Sequence, residues 1–317
     1  MGHPAIPSAT TVFDSILFRD AFGTPAMRDV FSDYALIGRY AEVEIALARA
    51  EARCGVIPTE AAEEIAKRTD ISALDFDLLR EETDIVGYPI LPLVHQLAKQ
   101  CGDAGRYVHW GATTQDIMDT AVILQVRDGL KIIEDDINAL RGILADLSRR
   151  YRDTPMAGRT HLQQALPVTF GYKTAIWLAM FDRHAERLEQ LKPRVLVGEF
   201  AGAAGTLASL GDQGIAVMEA LAAELKLHAP LAPWHVCSSP GSCAEGCAAW
   251  GSGGPGPSSP IRVRATPRLA ADWSRFPIQC GTYSQINLGQ PGEPRPPRSC
   301  RPSRDSRKCL DTTSSKS

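Results

Sequence analysis

The feature that most restricts how this sequence can fold is a stripe of eight large aliphatic residues. They recur at steps that alternate between three and four residues, as Ile123, Val126, Leu130, Ile133, Ile137, Leu140, Leu144 and Leu147. A stripe that holds this spacing for about three heptads is typical of a long helix in a bundle or coiled coil, because the spacing keeps one helix face apolar. We therefore predict a helix over 117–150.

Helical spacing also covers most of the chain before residue 236. A helix-start signal, Thr24 followed by Pro25, predicts one helix that runs to Cys54. A second long helix is predicted over 168–196, antiparallel to the first because a single compact loop joins them. Further helices are predicted at 57–68, 74–82, 93–100 and, behind an Asp212 cap, 213–227. Alternation with period two is nearly absent, so the predicted fold class is all-α.

The sequence changes character near residue 236. Residues 237–317 hold six of the eight Cys and eleven Lys or Arg against five Asp or Glu, whereas the preceding part carries a net charge of −9. Stretches rich in Gly, Ser and Pro cannot bury enough apolar surface to offset the entropy of ordering, so this tail is expected to be disordered. Cys237, Cys243 and Cys247 lack a C-x2-C pair and form only a weak zinc signal. No metal and no cofactor are therefore predicted.

Composition and the N-terminal sequence exclude several kinds of partner. The net charge of −3 gives no reason to expect binding to nucleic acid or to a membrane surface. No apolar run approaches the roughly 20 residues that span a bilayer, and the first residues show no basic start followed by an apolar core. The expected location is the cytoplasm.

The stretch Gly158–Gly171 concentrates polar side chains that suit an anion site. Arg159, Thr160, His161 and Gln163 precede Pro167, which is predicted to open the second long helix. A helix entrance leaves backbone N–H groups unpaired and favours anions, and a histidine there can move a proton. The alternative is a buried loop whose polar groups bond one another, and the stretch alone does not decide between these interpretations.

Two other stretches have both a structural and a functional interpretation. In H-W-G-A-T-T-Q-D, residues 109–116, Thr113 and Asp116 have the spacing of a capping box, and on spacing alone that role is favoured. In residues 199–211, three glycines and several small residues allow the backbone to approach either a neighbouring helix or a ligand closely.

Three motifs together resemble those of the fumarase/aspartase superfamily. They are H-W-G-A-T-T-Q-D at 109–116, G-R-T-H-L-Q-Q-A-L-P-V-T-F-G at 158–171 and F-A-G-A-A-G-T-L-A-S-L-G-D at 200–212. Their order and spacing are most similar to the branch of 3-carboxy-cis,cis-muconate cycloisomerase, to which trans-aconitate decarboxylase is also similar. The resemblance covers roughly residues 15–236.

The resemblance implies a bundle of long helices and a homotetramer whose active sites each draw on three subunits. It implies a small polycarboxylate as substrate, with addition or elimination next to a carboxylate. It further implies that Thr113, Thr114, Thr160 and Gln163 contact the substrate, and that His161 is a catalytic acid or proton relay.

The chain departs from the family pattern after residue 236. The family's G-S-S-x-M-P-x-K-x-N-P loop, which brings the catalytic base serine, has no match in 237–317. We therefore expect an N-terminal helical domain at 1–108, a partial bundle domain at 109–236 and an unrelated tail, as after a frameshift or truncation. Activity is expected to be impaired. The alternatives are an enzyme similar to trans-aconitate decarboxylase and a non-catalytic helical module that binds or oligomerises.

Overall fold

A computed structural model describes residues 11–234 of the chain. The predicted tail and its cysteines lie outside these residues. The described part is mainly helical and confirms the predicted fold class, with one β-hairpin added. The helices are α1 (Arg19–Phe22), α2 (Pro25–Val30), α3 (Asp33–Arg53), α4 (Thr59–Arg68), α5 (Phe76–Val86), α6 (Ile90–Cys101), α7 (Thr114–Arg150), α8 (Phe170–Val195) and α9 (Gly214–Glu224), and the strands are β1 (Pro155–Thr160) and β2 (Gln163–Thr169).

The helix predicted from Pro25 to Cys54 is two helices, so that prediction was wrong in its continuity. The chain turns between α2 and α3, where the Ser32 hydroxyl accepts a hydrogen bond from the backbone N–H of Ala35 at 3.2 Å. A serine at this position offers the cap that starts a new helix. The Gln125 side chain stabilises the break between α2 and α3, because its Nε2 donates a hydrogen bond to the carbonyl of Val30 at 2.8 Å.

Helix α3 lies at the centre of the core and packs against α4, α7 and α9. Its buried face is apolar, and Val43 and Leu47 are at most 1% exposed. The first turns of α7 bury Ile117 and Leu124 in the same core. This burial fixes the beginning of α7, and the loop before it, to the body of the protein.

The second half of α7 packs against α8 in an antiparallel pair, as predicted. The residue numbers of the contacting partners increase along α7 as they decrease along α8. The pairs are Glu134–Lys192 at 2.9 Å, Arg141–Asp182 at 2.6 Å and Ser148–Thr174 at 3.0 Å. Helix α7 has 37 residues, which corresponds to a length of about 55 Å. The aliphatic stripe that predicted α7 is partly exposed to solvent in this half of the helix, since Ile133 and Ile137 are only half-buried.

The connection between α7 and α8 is the antiparallel hairpin β1–β2, where a compact loop was predicted. Pro167 pairs with Ala157 in the hairpin and does not begin a helix. A bulge next to Ala157 brings Gly158 so close to the opposite strand that a Cβ there would lie 2.4 Å from the Leu166 carbonyl oxygen. The glycine is therefore required by the bulge.

None of the helices within residues 11–234 combines the length and the apolar character needed to cross a membrane.

Candidate active site

The loop before α7 carries the two threonines predicted to bind substrate. Thr113 is the N-cap of α7 and Thr114 its first residue, and both are half-buried. The backbone N–H of Thr113 donates to Asp116 Oδ2 at 2.8 Å. The predicted pairing of Thr113 with Asp116 at the helix start is therefore confirmed.

Asp116 also joins the loop to the glycine-rich segment that the sequence singled out. Its carboxylate is fully buried and accepts hydrogen bonds from the backbone N–H groups of Ala201 at 2.7 Å and Gly202 at 3.1 Å. Gly202 has a φ of +73°, and a Cβ there would lie 3.1 Å from the Gly111 carbonyl oxygen. Close backbone packing explains why this part of the segment uses small residues.

One turn further along α7, Thr120 fixes the start of the same segment. Its buried hydroxyl donates to the carbonyl of Glu199 at 2.9 Å and accepts from the N–H of Glu199 at 2.8 Å. The N–H of Trp234 donates to Glu199 Oε1 at 3.1 Å, and the indole N–H of Trp234 donates to Asp119 at 2.7 Å. Hydrogen bonds thus fix the segment against which the loop before α7 packs.

His109 belongs to this loop and was not among the predicted site residues. Its Nδ1 lies 2.7 Å from Oε1 of Glu44, a side chain of α3 that is 1% exposed. Burial alone would lower the pKa of His109, but the hydrogen bond and charge of Glu44, with the charge of Asp116, raise it above its usual value. Glu44, an acidic residue on the buried face of α3, was a signal in the sequence that a polar group lies in the core, but it did not identify the partner.

Two further acids are buried near this region. Burial, followed by the charge of Glu44, raises the pKa of Glu51 to about 9. Burial also raises the pKa of Glu199 to about 8, against the hydrogen bond from the Trp234 N–H and together with the charges of Asp116 and Asp119. Both side chains are therefore protonated in neutral solution.

The hairpin carries the other predicted site residues, but not at a helix entrance. Thr160 and Gln163 pair across its end, and His161 lies in the turn with a φ of +44°. All three are exposed. Helix α8 begins later, at Phe170, with Thr169 as its N-cap. The helix-entrance interpretation was wrong, and so was the alternative of a buried loop.

The structure does not bring the two groups of predicted residues together within one chain. Thr114 begins α7, whereas His161 follows its last residue, Arg150, after a short strand. The length of α7 separates them by about 50 Å. The prediction that His161 approaches the threonines through a second subunit stays a prediction.

Within the described part of the chain, no cluster of three or more His, Cys, Asp or Glu side chains could hold a metal ion.

A long-helix bundle with these three motifs defines a lyase-type fold, and comparison with known proteins identifies the family. Residues 21–239 match the lyase family, so the chain belongs to this family of the fumarase/aspartase superfamily, as the resemblance indicated. This superfamily acts on small molecules.

Curated relatives include members of the predicted branch. The chain is 46% identical over 217 residues to trans-aconitate decarboxylase 1 of Mycosarcoma maydis, covering 68% of this chain and 44% of that protein. It is 45% identical to 3-carboxy-cis,cis-muconate cycloisomerase of Acinetobacter baylyi, covering 70% and 50%. The chain thus spans about half the length of the curated relatives it matches.

Solved structures show the same fold. Fumarate lyase from Mesorhizobium sp. BNC1 is 58% identical with a TM-score of 0.64, covering 68% of this chain and 51% of that one. The 3-carboxy-cis,cis-muconate lactonizing enzyme of Pseudomonas putida is 44% identical with a TM-score of 0.65, covering 68% and 50%.

Proposed function

We propose that this chain carries the carboxylate-binding part of an enzyme that cleaves or rearranges a small polycarboxylate, in the manner of a 3-carboxy-cis,cis-muconate cycloisomerase. The observation that carries the proposal is the hydrogen-bonded start of α7, where Thr113 and Thr114 follow the loop that carries His109. Identities of about 45% to relatives of this type support it.

The start of α7 offers hydroxyl donors for a carboxylate, whereas three nearby backbone N–H groups already have a partner. The Asp116 carboxylate already accepts hydrogen bonds from the backbone N–H groups of Thr113, Ala201 and Gly202. The ligand is therefore bound by the hydroxyls of Thr113 and Thr114 and by the positive end of the helix dipole. Fixed donors of this kind stabilise the charge that develops when a proton leaves a carbon next to a carboxylate.

The hairpin completes the site from a second copy of the chain. Thr160 and Gln163 contact the substrate, and His161 acts as the acid or proton relay. The separation of about 50 Å within one chain requires a homo-oligomer, and the tetramer implied by the resemblance meets that requirement. The half-buried stripe on α7 is an apolar surface suited to such packing.

Turnover by residues 1–317 is expected to be low, because the motif that brings the base serine has no match in the sequence. Losing a general base commonly costs about 10²–10⁴-fold in rate. The second candidate function is decarboxylation of trans-aconitate, favoured by the 46% identity to the decarboxylase. The third is a helical module that binds or oligomerises without catalysis. We also propose that the protein is located in the cytoplasm.

The proposal predicts that Thr114→Val weakens binding of trans-aconitate or 3-carboxy-cis,cis-muconate to the full chain by about tenfold, because a buried hydrogen bond to a charged group is lost. Titration calorimetry measures the affinity, and NMR spectra of the same samples report turnover. Thr59→Val is the matched control, since Thr59 is also the first residue of its helix and is exposed.

Equal affinity of the Thr114→Val and Thr59→Val variants would contradict a carboxylate site at α7. Tighter binding of 3-carboxy-cis,cis-muconate would favour the cycloisomerase candidate, and tighter binding of trans-aconitate would favour the decarboxylase candidate. Failure of the wild-type chain to bind either ligand would favour the non-catalytic module.

A further inference from the structure

We propose that Glu44 is a positioning residue of the carboxylate site, which holds His109 so that the second ring nitrogen, Nε2, is the donor to a ligand carboxylate. The inference deepens the proposed function and rests on it. Neither residue was singled out by the sequence motifs as part of the site.

The geometry ties the imidazole to the core on one side only. Glu44 Oε1 lies 2.7 Å from His109 Nδ1, and the carboxylate is 1% exposed, whereas the His109 side chain is 21% exposed. His109 also has a φ of +63°, a conformation that costs energy in a residue other than glycine. The contact with Glu44 is the interaction that keeps the ring in this orientation.

The hydrogen bond to Glu44 fixes the chemical state of the ring. A carboxylate that accepts from Nδ1–H stabilises the imidazolium form, in which Nε2 also carries a proton. Glu44 and Asp116 are the acidic groups that raise the pKa of His109. In its protonated form His109 is therefore a charged donor on the loop that carries Thr113, and it can bind a second carboxylate of a polycarboxylate ligand.

Glu51 is a second acid buried on α3, and it differs from Glu44 in its partners. It lies two helical turns further along α3, is fully buried, and neither of its carboxyl oxygens has a hydrogen-bond partner within residues 11–234. Two ionised carboxylates in this interior would repel each other, and the charge of Glu44 adds to burial in raising the pKa of Glu51. Glu44, and not Glu51, is therefore the acid of α3 that pairs with His109.

The test follows the histidine rings of the full chain by NMR as pH changes, with tricarballylate, a saturated tricarboxylate, as the ligand probe. In Glu44→Gln, the titration midpoint of His109 falls below that of the wild type, and affinity for tricarballylate at pH 7 falls about tenfold because a charged donor is lost. In the matched control Glu51→Gln, the His109 midpoint stays at the wild-type pH and the affinity for tricarballylate stays within about twofold of the wild type.

An unchanged His109 midpoint in Glu44→Gln overturns the inference. A purely structural role for Glu44 would lower thermal stability and leave the midpoint in place, so that outcome also counts against it. If His109 titrates as expected but wild-type chain does not bind tricarballylate, the proposed function fails, and the role of Glu44 toward a ligand fails with it.

Discussion

Asp116→Ala is expected to destabilise the protein by about 3–5 kcal/mol, the range for removing one partner from a buried charged network. The Asp116 carboxylate is fully buried and accepts the backbone N–H groups of Thr113, Ala201 and Gly202. Alanine leaves these donors without a partner, and a buried unpaired donor costs its full desolvation energy. Urea unfolding monitored by circular dichroism measures the change.

The control for this variant is Asp146→Ala, on the same helix. The Asp146 side chain is 82% exposed and, within residues 11–234, forms an ion pair only with Arg149. Exposed substitutions of this kind change stability by no more than about 0.5 kcal/mol. A similar effect of both variants would show that Asp116 does not hold the loop to the glycine-rich segment.

Glu51→Gln is expected to stabilise the protein in alkaline solution and to flatten its pH dependence. The pKa of Glu51 is about 9 in the folded chain, against an ordinary value of 4.5. Between these values the folded chain holds a proton that the unfolded chain has released, so the free energy of unfolding falls as pH rises, by about 1.4 kcal/mol per pH unit. Glutamine does not titrate, so the free energy of unfolding of the variant does not fall in this way. The variant is therefore more stable than the wild type by an amount on the order of 4 kcal/mol at pH 8.

Urea unfolding at pH 5, 7 and 8.5 tests this expectation, with the exposed Glu63→Gln as control. Glu199, whose pKa of about 8 is also raised, contributes a loss of the same sign, so some pH dependence remains in the variant. Parallel curves for Glu51→Gln and the wild type would mean that Glu51 is ionised in the folded protein.

The sequence was sufficient for the elements whose pattern is local. The aliphatic stripe predicted α7 because the spacing of its residues follows directly from helix geometry. The single compact connection between the two long helices predicted the antiparallel packing of α8. The sequence pattern missed the end of α2, because the side chain that supports the break, Gln125, lies 95 positions away in the chain. The cap formed by Ser32 is a local signal that the continuous helical spacing concealed.

The hairpin was missed because its strands have no apolar face. Both strands of β1–β2 are largely exposed, so their sequences show no alternation of buried and exposed residues. Pro167, which in this context reads as the first residue of a helix, is equally acceptable in an edge strand. Only the pairing of the two strands distinguishes these possibilities.

The candidate site was predictable in its motifs but not in its electrostatics. Thr113 and Thr114 were identified from residues 109–116, and the structure places them at the start of α7. His109 was not, because its pKa is set by Glu44, which lies 65 residues away in the chain. Buried charge pairs between distant segments leave no periodic signal in a sequence.

The claim that the hairpin of one copy completes the α7 site of another can be tested directly by photo-cross-linking. A benzophenone amino acid replaces Leu162, the fully exposed neighbour of His161 at the hairpin turn, and Leu231, equally exposed, is the control position. The account predicts a covalent dimer from the 162 label, in which the cross-linked peptide contains residues 109–116. A product at 109–116 within one chain, or a dimer cross-linked elsewhere with none there, would contradict it.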